Sequence, residues 1–378
     1  MNKMIAGLCC PDCGGPLSTV QDEFRCPSCG PAGKYVDGIP CFTNPDYYWG
    51  EIPRESMQEA NRLVREIGWR AAVERVVSQK ALRDYISAPW RADFQKLWAL
   101  PPNSSILDIG AGWGGIAAGL AANFSRVVAV EGVLERTRFI DARARQMKLP
   151  IEAICADFLR LPLAPQQFDA VVLSGVVEWV GTARPVGDPR DLQIAFLRSV
   201  RELLKPSGFV CVGIENRIGR DALLRGEDHS GVPYTSLMPR KMAGLVCGMF
   251  AKRYRSDANA GYRTYTYSLR GYRKLFREAG YGTVRAFHAW NGYNEPTILL
   301  PLDQPEALLR FVDSQGWERS GLTGRVRRLP LHLILWRLCL RIIRLIPLPC
   351  CGWPRRLVLY PRLIRQTLAL CWLAAGLI

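Results

Sequence analysis

The sequence of 378 residues predicts an α/β protein built on a doubly wound, Rossmann-like parallel sheet. Three observations predict it. A glycine-rich turn joins a short apolar strand to an alanine-rich helix, apolar strands recur with helical stretches between them, and an acidic or polar residue closes strand after strand. Residues 105–109 read as the first strand, 110–115 as a tight turn and 116–122 as the helix behind it. That unit opens a nucleotide-sized pocket at the carboxyl edge of a sheet.

The other strands come in order. Residues 126–130 form the second and end in Glu131, which falls 19 residues after Gly112. An acid there accepts hydrogen bonds from ribose hydroxyls; the plainer alternative is a solvated loop acid. Residues 151–156 form the third and close on Asp157-Phe158, an acceptor beside a ring suited to adenine. Residues 168–173 are the fourth strand and 209–214 the fifth, the latter preceded by a helix over 192–204 and the turn Lys205-Pro206-Ser207-Gly208.

The segments Leu-Asp-Ile-Gly-Ala-Gly-Trp-Gly at 107–114, Glu131, Cys-Ala-Asp-Phe at 155–158, Phe-Asp-Ala-Val-Val at 168–172 and Leu-Lys-Pro-Ser-Gly at 204–208 together resemble the class I S-adenosylmethionine-dependent methyltransferases. The resemblance runs over roughly residues 100–300. It implies a seven-stranded sheet over 101–302 that binds S-adenosylmethionine. Its cofactor residues would be Asp108, Gly110, Ala111, Gly112, Gly114, Glu131, Gly132, Asp157, Phe158 and Ser174. Asp108 and the glycine turn would hold the methionine part, Glu131 the ribose, and Asp157 with Phe158 the adenine. Dehydrogenases share the glycine turn and the ribose acid, but usually lack an acid two residues before the first glycine, so Asp108 argues against them.

A second signal lies at 1–45. Cys10-x-x-Cys13 and Cys26-x-x-Cys29 are separated by twelve residues, a spacing that suits a closed, structural four-thiolate zinc site. Cys9 competes with Cys10 but breaks the two-residue spacing. Lys34 to Pro40 resembles the end of small zinc-ribbon modules that accompany methyltransferases, fused or as partners. Residues 46–100 carry apolar positions at three- and four-residue steps and read as a helical connector, either a cover over the cofactor cleft or a plain spacer.

Composition narrows the setting. Of thirteen cysteines four have metal spacing and most others sit in apolar runs. Only eight residues precede Cys9, so a reducing, cytoplasmic location is expected. The net charge of +16 is concentrated at the end: residues 319–378 hold eleven Arg and no Lys, Asp or Glu. Within the tail, 303–378, the segment 331–346 places Arg337, Arg341 and Arg344 on one stripe of an otherwise apolar helix. At 16 residues it is shorter than a membrane span, and it reads as an amphipathic helix at a bilayer surface, peripheral to the inner membrane. The alternatives are docking on the domain or a protein partner, and nucleic-acid binding.

Acceptor chemistry must come from the segments after strands four and five. The Asn/Asp-Pro-Pro-aromatic motif of base amino methylases is absent after strand four, and Cys211 lies inside strand five rather than at its end. Both count against nucleobases. An insertion at about 217–266 reads as a substrate lid. Its Glu227-Asp228-His229-Ser230-Gly231 and the preceding Ile214-Glu215-Asn216-Arg217 look like bacterial methyltransferases of surface-polysaccharide synthesis. Methylating a hydroxyl requires a positioned oxygen and a proton acceptor. Among three histidines, His229 is the candidate base, oriented by Asp228, with Glu178 and Glu215 next. The plain reading of His229 is an exposed loop residue. Tyr265 and Tyr267 either stack on a sugar or simply alternate along a lid strand. The expected function is O-methylation of a glycan or lipid-linked saccharide at the cytoplasmic membrane face. The alternative is an RNA methyltransferase whose ribbon and tail grip phosphates.

Overall fold

The computed structural model describes residues 5–219, 222, 229–250, 262–290, 292–304, 306–307 and 310–311. The chain divides into two compact units, Met1–Val284 with Ala289–Leu299, and Arg285–His288 with Leu300–Ile378. The arginine tail beyond 311, Asp228 and part of the lid insertion lie outside the described residues.

The first unit is organised by a nine-stranded sheet in the order β1-β2-β3-β4-β7-β6-β5-β8-β9. The ribbon supplies β1 (Ser18–Val20), β2 (Glu23–Cys26), β3 (Gly30–Val36) and β4 (Ile39–Cys41). The parallel part comprises β5 (Ser105–Ile109), β6 (Arg126–Glu131), β7 (Ile151–Cys155), β8 (Phe168–Ser174) and β9 (Leu204–Gly213). Its central strands are apolar on both faces: Ile106, Leu107, Ile109, Val128, Val130, Val171 and Leu173 are fully buried, as parallel strands covered by helices on each side must be. At the amino ends, the Asp169 carboxylate accepts from Ser105 N at 2.8 Å and from Lys205 Nζ at 2.7 Å, joining three neighbouring strands.

The expected seven-stranded sheet is not what forms. Cys41 of β4 pairs in parallel with Cys155 at the outer edge of β7, and Phe42 N donates to Cys155 O at 2.7 Å. The buried triplet Ile-Pro-Cys thus continues the ladder into the ribbon. β10 (Phe287–Trp290) and β11 (Ile298–Pro301) form a separate two-stranded sheet instead of extending the main one.

Helices α1 (Arg54–Ile67), α2 (Trp69–Val76) and α3 (Lys80–Ser87) and a 3-10 turn (Pro89–Leu97) make up the connector. Met57, Ala60, Leu63 and Val64 bury one face of α1 in a cluster with Trp69, Trp113 and Phe139. Asn61 Nδ2 also donates to Glu135 O at 2.8 Å, seating α1 on α5 (Leu134–Met147), which follows α4 (Gly115–Ala121) in the chain. A short α6 (Val180–Ala183) precedes α7 (Pro189–Leu203), where Asp188 caps the amino end by accepting from Arg190 N and Asp191 N. The insertion holds α8 (Arg240–Phe250), and its Arg263 donates to the carbonyls of Gly181, Arg184 and Gly187; α9 (Leu269–Glu278) follows it.

Candidate active site

The glycine turn grows directly from the sheet. Gly110 N and Ala111 N both donate to Val130 O, at 2.9 and 3.0 Å, so the chain bends back over β6. Gly110 sits at φ 69°, and a Cβ there would lie 2.7 Å from Val176 Cγ2. At Gly112, φ 57°, a Cβ would meet no atom within 4 Å. The turn is therefore tight on its protein side and open towards a ligand.

Glu131, 6% exposed, fixes this turn. Its Oε2 accepts from Gly112 N at 2.8 Å and its Oε1 from Val133 N at 3.1 Å. Burial pushes its carboxyl upward, against the pull of Arg136 and the two N–H donors. Gly132 lies next along the chain, under Ala156 O. Asp108, at 2% exposure, has Oδ2 buried and without a hydrogen-bond partner among the described residues. Burial pushes its carboxyl up to about 7; Arg91 and the Ala117 N–H oppose this, and Glu131 adds to it. Asp157 Oδ1 accepts from Leu159 N at 2.9 Å, closing its own turn. The Phe158 ring lies edge-on to Phe196 at 5.5 Å, half-buried against the core. Ser174 ends β8 opposite Gly213.

This cradle fits an adenosyl cofactor: an orphaned buried acid, a glycine turn open on one side and a second acid at the next strand end. S-adenosylmethionine bound there would supply an electrophilic methyl on a sulfonium. The buried acid makes binding depend on pH. The folded chain holds the Asp108 proton more tightly than an unfolded one, so ionising it penalises the apo state increasingly as pH rises towards 7. A cationic ligand favours the ionised form. Cofactor affinity measured by calorimetry from pH 6 to 8 should rise, by up to about tenfold per unit below the midpoint, then level off. Asp108→Asn should abolish the slope; an equal slope in both proteins refutes the assignment.

Several residues here were not singled out in the sequence. Arg91, 5% exposed, donates to Asn294 O at 2.9 Å and lies over the Tyr85 ring at 3.6 Å. Glu51 accepts from Trp113 Nε1 at 3.2 Å and pairs with Arg136, which in turn lies over Trp49. Tyr47 feels the charges of Glu131 and Asp157, which add to burial in raising its hydroxyl. The connector thus borders the cofactor cradle.

Beyond the carboxyl ends of β8 and β9, the structure gathers three of the four sequence-predicted catalytic residues. Glu178, on a 3-10 turn after β8, is fully buried; Glu215 comes after β9; His229 comes from the insertion. His229 Nε2 lies 3.4 Å from Glu215 Oε1 and 3.7 Å from Glu178 Oε1. Tyr293 Oη donates to Glu215 Oε1 at 2.9 Å, and the Trp179 ring lies 4.5 Å from the imidazole. Burial and the Glu215 charge raise Glu178 well above the usual carboxylate range. Burial also works upward on Glu215, but His229 and Tyr293 outweigh it and hold that carboxyl low. Two adjoining carboxyls are thus driven apart, one towards the acid form and one towards the base.

Tyr265 and Tyr267 are already engaged. Arg240 lies over Tyr265 at 4.1 Å, and Tyr267 Oη donates to Gln193 Oε1 at 2.7 Å. Those contacts favour the reading that they alternate along the lid. His288, the other described histidine, is buried within β10.

In the ribbon, Cys10, Cys13, Cys26 and Cys29 bring their Sγ atoms within 4.8 Å of one another. Sulfurs about 2.3 Å from a tetrahedral zinc stand roughly 3.8 Å apart, so the set fits that ion. Cys9 is not part of it: its N–H donates to Pro162 O at 3.0 Å and its side chain is buried.

Residues 107–212 match the family model described as a methyltransferase domain. With the strand-end acids and the glycine turn, the match supports an S-adenosylmethionine-dependent methyltransferase domain over that stretch, on a mixed α/β, Rossmann-like fold. Three solved structures illustrate the likeness. The CcbJ methyltransferase of Streptomyces caelestis is 24% identical with a TM-score of 0.29, the match covering 36% of this chain and 51% of that one, about half its length. A Leishmania major S-adenosylmethionine-dependent methyltransferase is 17% identical (TM-score 0.36), covering 65% and 80%. One from Aquifex aeolicus is 15% identical (TM-score 0.31), covering 50% and 87%. At such scores these likenesses carry no inference about the acceptor. No curated protein matches the chain. Among the described residues, no helix is long and apolar enough to cross a membrane.

Proposed function

We propose that the protein transfers the methyl group of S-adenosylmethionine to a hydroxyl of a glycan or lipid-linked saccharide, at the cytoplasmic face of a membrane. The observation that carries this reading is the Glu178–Glu215–His229 cluster beyond β8 and β9. Carboxylates accept from sugar hydroxyls, and the Trp179 and Trp49 rings, packed edge to face with centroids 5.7 Å apart, offer aromatic surface that suits the apolar side of a sugar ring. In the reaction the acceptor oxygen forms a bond to the methyl carbon as the carbon–sulfur bond breaks. The electron pair of that bond stays on sulfur, giving S-adenosylhomocysteine, and the hydroxyl proton passes to the cluster. The protein's contribution is to aim the oxygen and receive the proton.

Two features support the membrane setting. The arginine-striped tail is one. The other is α8, which leaves Met242, Leu245, Met249 and Phe250 between 47% and 70% exposed beside Arg240 and Lys241. Such an apolar face flanked by cations suits a headgroup boundary. Four thiolates at the ribbon support a structural zinc with no role in the chemistry.

The test is incubation with methyl-labelled S-adenosylmethionine and separate lipid, glycan and RNA fractions. Label is expected in saccharide-bearing material. His229→Ala should lower turnover at least a hundredfold, in line with the contribution of a positioned proton acceptor. Label confined to RNA overturns the proposal.

A further inference from the structure

We infer that Glu178, Glu215 and His229 form a binding site for one divalent metal ion of the manganese type. Their ligating atoms all lie within 4.8 Å of one another. The separations of 3.4 and 3.7 Å from His229 Nε2 to the two carboxylates are too long for good hydrogen bonds. Ligands about 2.2 Å from a shared ion stand roughly 3.1–3.6 Å apart at right or tetrahedral angles; the His229–Glu215 distance falls in that range and the His229–Glu178 distance just above it.

The second observation is Glu178 itself. Its side chain is fully buried and both of its oxygens lack a hydrogen-bond partner among the described residues. Glu215 Oε2 and His229 Nε2 are likewise buried without one. A buried carboxylate with nothing to bind is costly, and native chains satisfy such groups. A dication at the centre of the cluster satisfies Glu178, Glu215 and His229 together. One imidazole and two carboxylates form a mixed nitrogen and oxygen set, harder than the four thiolates of the ribbon, so the two sites select different metals.

This inference rests on the reading that the cluster faces the acceptor hydroxyl, and it deepens that reading. A metal held by three protein ligands keeps positions open. An acceptor hydroxyl bound there loses its proton more readily, and a second hydroxyl on the same ring can complete the shell. His229 would then act as a ligand and not as the proton acceptor, the hydroxyl proton passing to the Glu215 oxygen left free of the ion, and the acceptor class narrows to saccharides with adjacent hydroxyls.

The test uses full-length, zinc-loaded protein titrated with Mn²⁺, free ion being followed by its electron paramagnetic resonance signal. One Mn²⁺ per chain is expected. Glu178→Gln and His229→Ala should each weaken it at least tenfold, while calorimetry finds S-adenosylmethionine affinity within twofold of wild type. The Mn²⁺ site is absent if wild-type protein leaves the free signal undiminished, or if both variants bind as wild type does. The wild-type titration decides even if a variant misfolds. Methyl transfer to saccharide without Mn²⁺ binding sinks only the metal site; Mn²⁺ binding without transfer sinks only the proposed acceptor.

Discussion

Glu131→Ala should lower S-adenosylmethionine affinity at least a hundredfold by calorimetry. The substitution removes the acid that the sequence places for the ribose, and it also frees the turn, because Gly112 N and Val133 N both lose their acceptor. Hydrogen bonds to a charged group are worth about 1.5–3 kcal/mol each, and a hundredfold is about 2.7 kcal/mol, so the loss of either function alone approaches the expected effect. Glu131→Gln keeps an acceptor for one N–H and should fall between. An affinity for Glu131→Ala within threefold of wild type would show that the ligand sits elsewhere.

The second large effect lies at the other end of the molecule. Cys26→Ser removes one of four converging thiols from a module with few apolar residues, whose Phe24 and Phe42, stacked at 4.9 Å, join the core beneath the main sheet. The proposed zinc would hold such a small module together. The expected loss is on the order of 5 kcal/mol, a fall in Tm of roughly 10 °C or more. It should not stay local. Asp12 pairs with Arg160, Asp37 with Arg138 at 2.6 Å, and Ala164 N donates to Gly7 O at 2.9 Å, so ribbon and sheet share their ties. Melting of wild type and variant, with zinc content by mass spectrometry, provides the check. Unchanged melting together with unchanged zinc content would remove the metal from the account.

The parts that the sequence made legible are those whose determinants are local. Asp108, the glycine turn and Glu131 each close a strand within a few residues of it, and two strand ends in one parallel sheet must lie side by side. Glu178 and Glu215 were legible for the same reason. What escaped came from far along the chain. Arg91 reaches Asn294 across 203 residues and Tyr293 reaches Glu215 across 78, without periodicity or motif to announce either. The sheet was misjudged at its margin: nothing in Ile39-Pro40-Cys41 shows which edge it will join. The packing of the Phe158 ring on Phe196, 38 residues on, was equally hidden.

The junction at Cys41 and Cys155 has a practical consequence. A parallel sheet ending at β7 would present a row of unpaired amides and carbonyls to any passing strand. Here the amino-terminal module pairs with the carboxyl end of that border, at Cys155. A truncated protein starting near residue 100, the usual choice for isolating a catalytic core, would bare it. Such a fragment is expected to associate with itself through that border, and loss of solubility on trimming would reflect a missing chaperone-like cover, not a failure of the catalytic half to fold.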